Sequence, residues 1–375
     1  MRTLIVSDLH LGTHTATDVL QHPAPLAALL EALDGVDRIV LLGDLIELRS
    51  GPVRRALAAA RPVLEALGQA LDGRQIVIVP GNHDHALIAP WLERRAQPLS
   101  SEERVAPHES SPAAAALAGL FGPGAQVVFA YPGVWVRPDV YATHGHYLDC
   151  HMTLPTLERI AIGAMARFSA TGPDHLRRPE DYEALVAPVY AWIHAVAQTG
   201  ARAGAVSGDG SVRAWRALAS SGDGRPRLRA RALAAGFPLA IAALNRAGLG
   251  PLSSDLSSAH MRRGRLAALA CALEALSIDA GHVIFGHTHR TGPLPDDDGA
   301  EWRTPAGAAL LNCGSWIFET HLMTRVAGES PYWPGGAVTV DDDAHAPRLA
   351  RLLGGCSAGD LRSAQIDPVS LGGGG

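Results

Sequence analysis

Apolar residues fall along this chain in short continuous runs, each closed by turn-forming or polar residues. The runs are TLIVS (3–7), RIVLL (38–42), QIVIV (75–79), QVVFA (126–130), VYAT (140–143), HVIF (282–285), AALLN (308–312) and AVTV (337–340). Runs of four to five bounded by turn signals read as strands buried on both faces. Between the first three lie PLAALLEAL (25–33) and VRRALAAARPVLEALGQAL (53–71), whose apolar spacing is helical. Strand alternating with helix predicts βαβ units and a mainly parallel sheet, while the closer spacing of the later runs predicts a mixed one. Residues 151–280 break the pattern. They are rich in Ala, Leu and Arg, with helical stretches at 154–168, 182–198, 211–220, 228–248 and 258–276 and no strand pattern. The chain thus divides into an α/β core, 1–150 and 281–353, a helical insertion at 151–280, and a Gly- and Ser-rich tail, 354–375, expected to be loose.

Composition adds to this picture. With 375 residues, 47% apolar and 18% charged, the chain can bury a sizeable core. All 32 basic residues are Arg, a compositional bias rather than a binding device. The charge is uneven: residues 151–280 sum to +5 and the remainder to −10, giving the net −5. An acidic core excludes a general nucleic-acid binder, and no specific nucleic-acid partner is expected. The four cysteines form no CxxC pair, so neither a zinc ribbon nor a disulfide framework is indicated. The opening MRTLIVSDLHLG has no basic stretch before a long apolar one and reads as a first core strand. No run of about 18 apolar residues is present, so no spanning helix is expected, and the sparse cysteines lead to the expectation of reduced thiols in a cytoplasmic location.

The chemistry sits where the strands end. After successive runs come Asp8-Leu9-His10, Gly43-Asp44-Leu45-Ile46-Glu47, Gly81-Asn82-His83-Asp84, His144-Gly145-His146 and Gly286-His287-Thr288-His289. Loops at the carboxyl ends of parallel strands meet along one edge, where ligands bind. Carboxylates, imidazoles and one amide oxygen, without thiolate, suit Mn²⁺, Fe or Zn²⁺. The donors outnumber the needs of one ion with an open position, which points to a two-metal site sharing a bridging carboxylate. Asp44, following a central strand and a glycine, is the natural bridge.

This order of motifs, DxH, GDxxE, GNHD, HGH and GHTH, resembles the calcineurin-like metallophosphoesterase family over roughly 1–150 and 281–320. The resemblance implies a four-layer αββα sandwich of mixed sheets, here with a helical insertion. It implies Asp8, His10, Asp44 and His289 on one metal, and Asp44, Asn82, His144 and His287 on the other. His144 is preferred over the neighbouring His146 by the family's HGx form, which leaves His146 as a substrate or supporting residue. His83 would be the general acid, with Asp84 orienting it. The activity implied is hydrolysis of a phosphodiester, phosphomonoester or pyrophosphate by a metal-bridging hydroxide, with two divalent ions, Mn²⁺ foremost and Fe or Zn²⁺ as alternatives. The partner expected is a small phosphoester. Arrangement and the SDLHLG start are also similar to the UDP-2,3-diacylglucosamine pyrophosphohydrolases, but GNHD replaces that branch's usual GNRD and the insertion is much longer. A metal-holding interaction module without catalysis is the reading from another class.

Other residues have bland readings beside sharp ones. Arg290, next to His289, is a candidate phosphate holder. Glu47 reads as structural, and so do Asn312, Gly314 and Ser315 in LNCGSW. His14, His85 and His151 adjoin the motifs, and Arg49, Arg54 and Arg55 either reach a phosphate or line a solvated helix. The 151–280 segment is either an extra helical layer or a lid. Its Arg excess and the apolar RALAAGFPLAIAAL (231–244), kinked by Pro238, allow peripheral lipid contact.

Overall fold

The computed structural model describes residues 1–13, 17–168, 175–199, 228–255, 257–323, 328–343 and 345–361. Two mixed sheets form its centre. The first has seven strands in the order β12-β11-β1-β2-β3-β5-β4. In it β1 (Arg2–Val6), β2 (Arg38–Leu42), β3 (Gln75–Val79) and β5 (Gln126–Tyr131) run parallel, while β4 (Glu103–Val105), β11 (Gly336–Asp341) and β12 (Arg348–Arg351) pair antiparallel to their neighbours. The second has the order β6-β7-β8-β10-β9. Its parallel members are β7 (Val140–Thr143), β8 (His282–Phe285) and β10 (Ala309–Cys313), flanked by antiparallel β6 (Gly133–Arg137) and β9 (Thr291–Gly292).

Alternation within the runs builds the layers. Val40 and Leu42 of β2, with Ile5, Val77 and Val79, meet Val134, Val140, Ala142, Ile284 and Cys313 of the other sheet in one cluster. Ile39 and Leu41, with Leu4, Val6, Ile76 and Ile78, face the opposite way. They pack on Leu29 of helix Pro23–Glu31 and on Ala60, Leu64 and Leu67 of helix Val53–Ala70. On the far side, Tyr141, Val283, Phe285 and Leu310 pack on Leu266, Leu269 and Leu273 of helix Ser258–Ala275. Helix, sheet, sheet, helix is the sandwich the resemblance implies. Strands covered on both faces show continuous apolar runs because each face needs its own set of side chains.

Among the described residues, 151–280 contains helices Leu157–Phe168, Pro179–Gln198, Leu228–Arg246 and Ser258–Ala275 and no strand. Helix Leu228–Arg246 runs through Pro238; the stretch 211–220 and His14 lie outside the described residues. Helix Pro179–Gln198 buries Tyr182, Leu185, Val186 and Tyr190 against Tyr147, Cys150, Ile162 and Leu176. Of the tail expected from residue 354, the described part ends at Leu361, which is 3% exposed and joins the helix-facing core. Among the described residues, no helix is long and apolar enough to cross a membrane.

Candidate metal centre

Five strand-ending loops, three from the first sheet and two from the second, meet at one edge. Six non-glycine residues of the described chain have positive φ, and five of them are Asp8 (56°), His10 (45°), Asp44 (50°), His287 (64°) and His289 (59°). The left-handed region costs an L-residue about 1–2 kcal/mol, and such residues persist only where surroundings over-determine them, typically at functional sites. Here the loops are laced together. Asp8 N–H donates to Gly43 O (3.1 Å) and His10 N–H to Asp44 O (2.8 Å). Within the second sheet Gly286 N–H donates to His144 O (3.1 Å), and across the sheets His287 N–H donates to Asp8 Oδ2 (2.9 Å). Glycine is required at the closest approaches. A Cβ on Gly43, which sits at φ +84°, would lie 2.1 Å from His144 Nδ1, and one on Gly286 would lie 1.9 Å from Ser7 Oγ.

The side chains converge in two groups. In the first, His10 Nε2 is 3.2 Å from His289 Nε2 and 3.6 Å from Asp44 Oδ2, and His289 Nε2 is 3.3 Å from Asp8 Oδ1. In the second, His144 Nε2 is 3.4 Å from Asp44 Oδ2 and 3.1 Å from Asn82 Oδ1, which is 3.1 Å from His287 Nδ1. Bonds of about 2.0–2.2 Å to a common ion place adjacent ligand atoms about 3–3.5 Å apart, so these spacings fit two cations sharing Asp44 Oδ2. The other Asp44 oxygen accepts from His83 N–H at 2.8 Å, which fixes the carboxylate plane. Asp8 Oδ1 is buried with no hydrogen-bond partner.

Each candidate histidine is backed through its other nitrogen. Glu47 Oε2 lies 3.2 Å from His10 Nδ1, Asp149 Oδ1 lies 3.0 Å from His287 Nε2, and Glu319 Oε2 lies 3.7 Å from His289 Nδ1. His144 Nδ1 is 3.0 Å from Leu42 O. Carboxylate or carbonyl behind an imidazole is the usual support of a metal-ligating histidine, since it fixes tautomer and ring orientation.

Electrostatics agree with this fit. Burial pulls His289 down, but Asp8 and Glu319 push it up to about 10, and burial likewise loses to Asp44 and Asp8 at His144, which rises to about 9. Burial would raise the Asp44 carboxyl, yet His144, His83 and His10 hold it well below the usual range. In the absence of cations, protons on these rings neutralise the carboxylates, and metal binding would displace them. The Asn82 amide needs the same reading. Its oxygen faces ring nitrogens, and its nitrogen faces Arg49 Nη1 at 3.1 Å; without a cation the reverse orientation would satisfy more hydrogen bonds. A cation at Oδ1 favours the orientation described.

Of the remaining expected residues, His83 stands beside this centre, its Nδ1 2.7 Å from Glu47 Oε2 and its ring 4.6 Å from that of His10. Burial lowers its pKa, outweighing Glu47 and Asp44. The expected pairing of Asp84 with His83 is corrected. Asp84 accepts from the N–H groups of Gly81 (2.6 Å), Leu45 (2.8 Å) and Ile46 (3.5 Å), tying the loops after β2 and β3 together, and Glu47 orients His83 instead. Arg290, expected as a phosphate holder, has its two terminal nitrogens gripped by Asp297 at 3.0 and 2.6 Å, with Trp302 under it. His146 is 1% exposed and lies 3.2 Å from the Tyr131 hydroxyl, so it is placed to support and not to meet a solvent-borne substrate. His85 is held by Glu183 (2.9 Å) and His151 by Tyr182 (2.7 Å), both on helix Pro179–Gln198. Arg54 and Arg55 are exposed, whereas Arg49 is 3% exposed, 3.3 Å from Glu158 and stacked 4.7 Å from the Tyr190 ring centre.

Sequence reasoning missed Asp149, Glu319 and the role of Glu47. Only Glu47 carried a signal, standing three residues after Asp44 on the same loop.

No curated protein sequence matches the chain. Among solved structures, the cold-active protein-tyrosine phosphatase of a psychrophilic Shewanella species matches at 11% identity, covering 94% of this chain and 78% of that one, with a TM-score of 0.29. A point mutant of a cold-active protein tyrosine phosphatase matches at 12% identity with the same coverages and TM-score. Residues 1–194 match the sequence model described as Metallophos, calcineurin-like phosphoesterase. That match spans more than half of the chain, and the chain belongs to the calcineurin-like phosphoesterase family.

Proposed function

We propose that the protein is a phosphoesterase working with two divalent cations, Mn²⁺ foremost. Asp8, His10, Asp44 and His289 would hold one, and Asp44, Asn82, His144 and His287 the other. The observation that carries this reading is the double convergence on Asp44 Oδ2, with every histidine backed by an oxygen. When bound, two such cations supply a hydroxide near neutral pH and neutralise charge on the phosphoryl oxygens. The chain's own residues do the rest. Glu47 holds His83 through Nδ1, leaving Nε2 to give a proton to the departing oxygen, a step typically worth about 10²–10⁴-fold. The backbone N–H of His83 keeps the Asp44 carboxylate in register, and Asp149 keeps His287 turned with Nδ1 inward. Helix Pro179–Gln198 brings Tyr190 against the Arg49 guanidinium, which stands 3.1 Å behind the Asn82 amide. The substrate is a small phosphoester, and the four unpaired cysteines support a reducing, cytoplasmic setting.

The test is hydrolysis of p-nitrophenyl phosphate and bis-p-nitrophenyl phosphate by the purified protein with Mn²⁺. Activity should vanish on chelation and in Asp44→Ala. An Asp44→Ala variant as active as the wild type would end this reading.

A further inference from the structure

Helix Pro179–Gln198 of the insertion carries Glu183 into the core, where it grips two loops at once. Its Oε2 meets His85 Nε2 at 2.9 Å, and its Oε1 accepts from the hydroxyls of Tyr147 (2.6 Å) and Tyr131. His85 opens a short turn three residues after Asn82, and Tyr147 stands in another, three residues after His144. That second turn also holds Asp149, whose Oδ1 lies 3.0 Å from His287 Nε2. The two gripped turns therefore adjoin or orient three donors of one candidate cation site, Asn82, His144 and His287. The rings of the other site, His10 and His289, are backed by Glu47 and Glu319, which stand on loops of the core.

Packing adds to the grip. Tyr182 stacks on the Tyr147 ring at 4.6 Å, and its hydroxyl lies 2.7 Å from His151 at the end of the same turn. Tyr131 continues the network to His146 Nε2 at 3.2 Å, and the His146 ring lies 5.6 Å from that of His144. Apolar residues of similar volume would pack a helix as well as a buried carboxylate does. A buried polar network with its bonds completed instead fixes one geometry. Resting on the two-cation phosphoesterase reading, we infer that Glu183 is a positioning residue for the site of Asp44, Asn82, His144 and His287 alone. The seating of the insertion helix then sets the occupancy of that site.

The test is calorimetric titration with Mn²⁺ of the full chain, first stripped of metal by chelator, with paramagnetic resonance on the same samples. Wild type should take up two ions and give the signal of a coupled pair, and Asn82→Ala marks which step belongs to the gripped site. Glu183→Ala should weaken that step by about 10–100-fold, the usual loss behind a metal ligand, and leave the other within about twofold. Tyr147→Phe, which keeps the ring on Tyr182 and removes one donor, should weaken the same step by about 3–10-fold; it decides by itself if Glu183→Ala does not fold. Leu185→Ala, on the buried face of the same helix, is the folding control. It should lower the unfolding midpoint and leave both steps unchanged. The inference is overturned if the network variants weaken both steps alike or neither, or if Leu185→Ala reproduces the selective loss. Fewer than two ions on the wild type would overturn it together with the two-cation reading. Two ions bound and one selectively lost, without turnover of either p-nitrophenyl ester, would end the phosphoesterase reading and leave this inference standing.

Discussion

Glu47 is the most informative single perturbation. One carboxylate oxygen serves two imidazoles, His10 at 3.2 Å and His83 at 2.7 Å, while the other accepts from Arg49 N–H at 2.8 Å. Glu47→Gln keeps volume and removes the charge. Through His10 it should weaken metal binding by about 10–100-fold, the usual loss for a residue behind a ligating histidine. Through His83 it should remove proton donation, about 10²–10⁴-fold. The two effects separate experimentally. Saturating Mn²⁺ hides the first and leaves the second. The second depends on the leaving group, because p-nitrophenolate departs without a proton and an alkoxide does not. At saturating metal, Glu47→Gln should therefore lose at least about 100-fold on an alkyl phosphate and less than about 10-fold on the p-nitrophenyl ester. Asp149→Asn is the control. It stands behind His287 alone, so its loss should be equal on both esters and recovered by added metal. Equal losses on both esters by Glu47→Gln at saturating metal would refute the general-acid assignment of His83.

Two further outcomes follow from the same geometry. His144 and His289, ordinarily near 6.5, are raised to about 9 and about 10 in the fold; raised pKa values mean the native state binds those protons more tightly than the unfolded one. In chelator the stability they contribute is full below pH 6.5 and is lost as pH rises through 9 to 10, so thermal midpoints should fall across that window without metal and hold with it, which calorimetry in paired samples would show or refute by parallel curves. Glu183→Ala, which leaves His85, Tyr131 and Tyr147 without their shared carboxylate, should destabilise by about 1–3 kcal/mol, the cost of leaving buried donors unsatisfied, read by urea unfolding; a change under about 0.5 kcal/mol would mean that helix Pro179–Gln198 does not depend on this network.

The core strands were legible because burial on both faces forces continuous apolar runs, and RIVLL, QIVIV, VYAT and HVIF match β2, β3, β7 and β8 end to end. The strands not expected, β4, β9 and β12, have two to four residues at sheet edges, where one neighbour suffices and no apolar run is needed. β6, GVWVR, escaped for a different reason: it alternates, with Trp135 and Arg137 half-buried on the outer side of the hairpin with β7.

The residues of the candidate metal centre were legible for a reason that does not extend to their supports. A ligand must stand at a strand end, and Asp44, Asn82, His144 and His287 each adjoin a glycine, so their sequence context is constrained. A supporting carboxylate needs only to arrive behind an imidazole, from any element. Asp149 comes from a short 3₁₀ turn after β7 and Glu319 from a loop after β10, each in an unremarkable stretch of chain. Arg290 shows the converse: adjacency to His289 suggested a role, but Asp297, seven residues on, holds its guanidinium. Sequence proximity ranks candidates only where the backbone fixes direction. Asp8, His10, Asp44, His287 and His289 satisfy that condition, their left-handed φ values standing in loops laced by hydrogen bonds within each sheet and, from His287 N–H to Asp8, between the two. The same lacing makes the donor array stiff before any ion arrives, so conformational order is spent in folding and not in binding, which is what a site of fixed spacing requires.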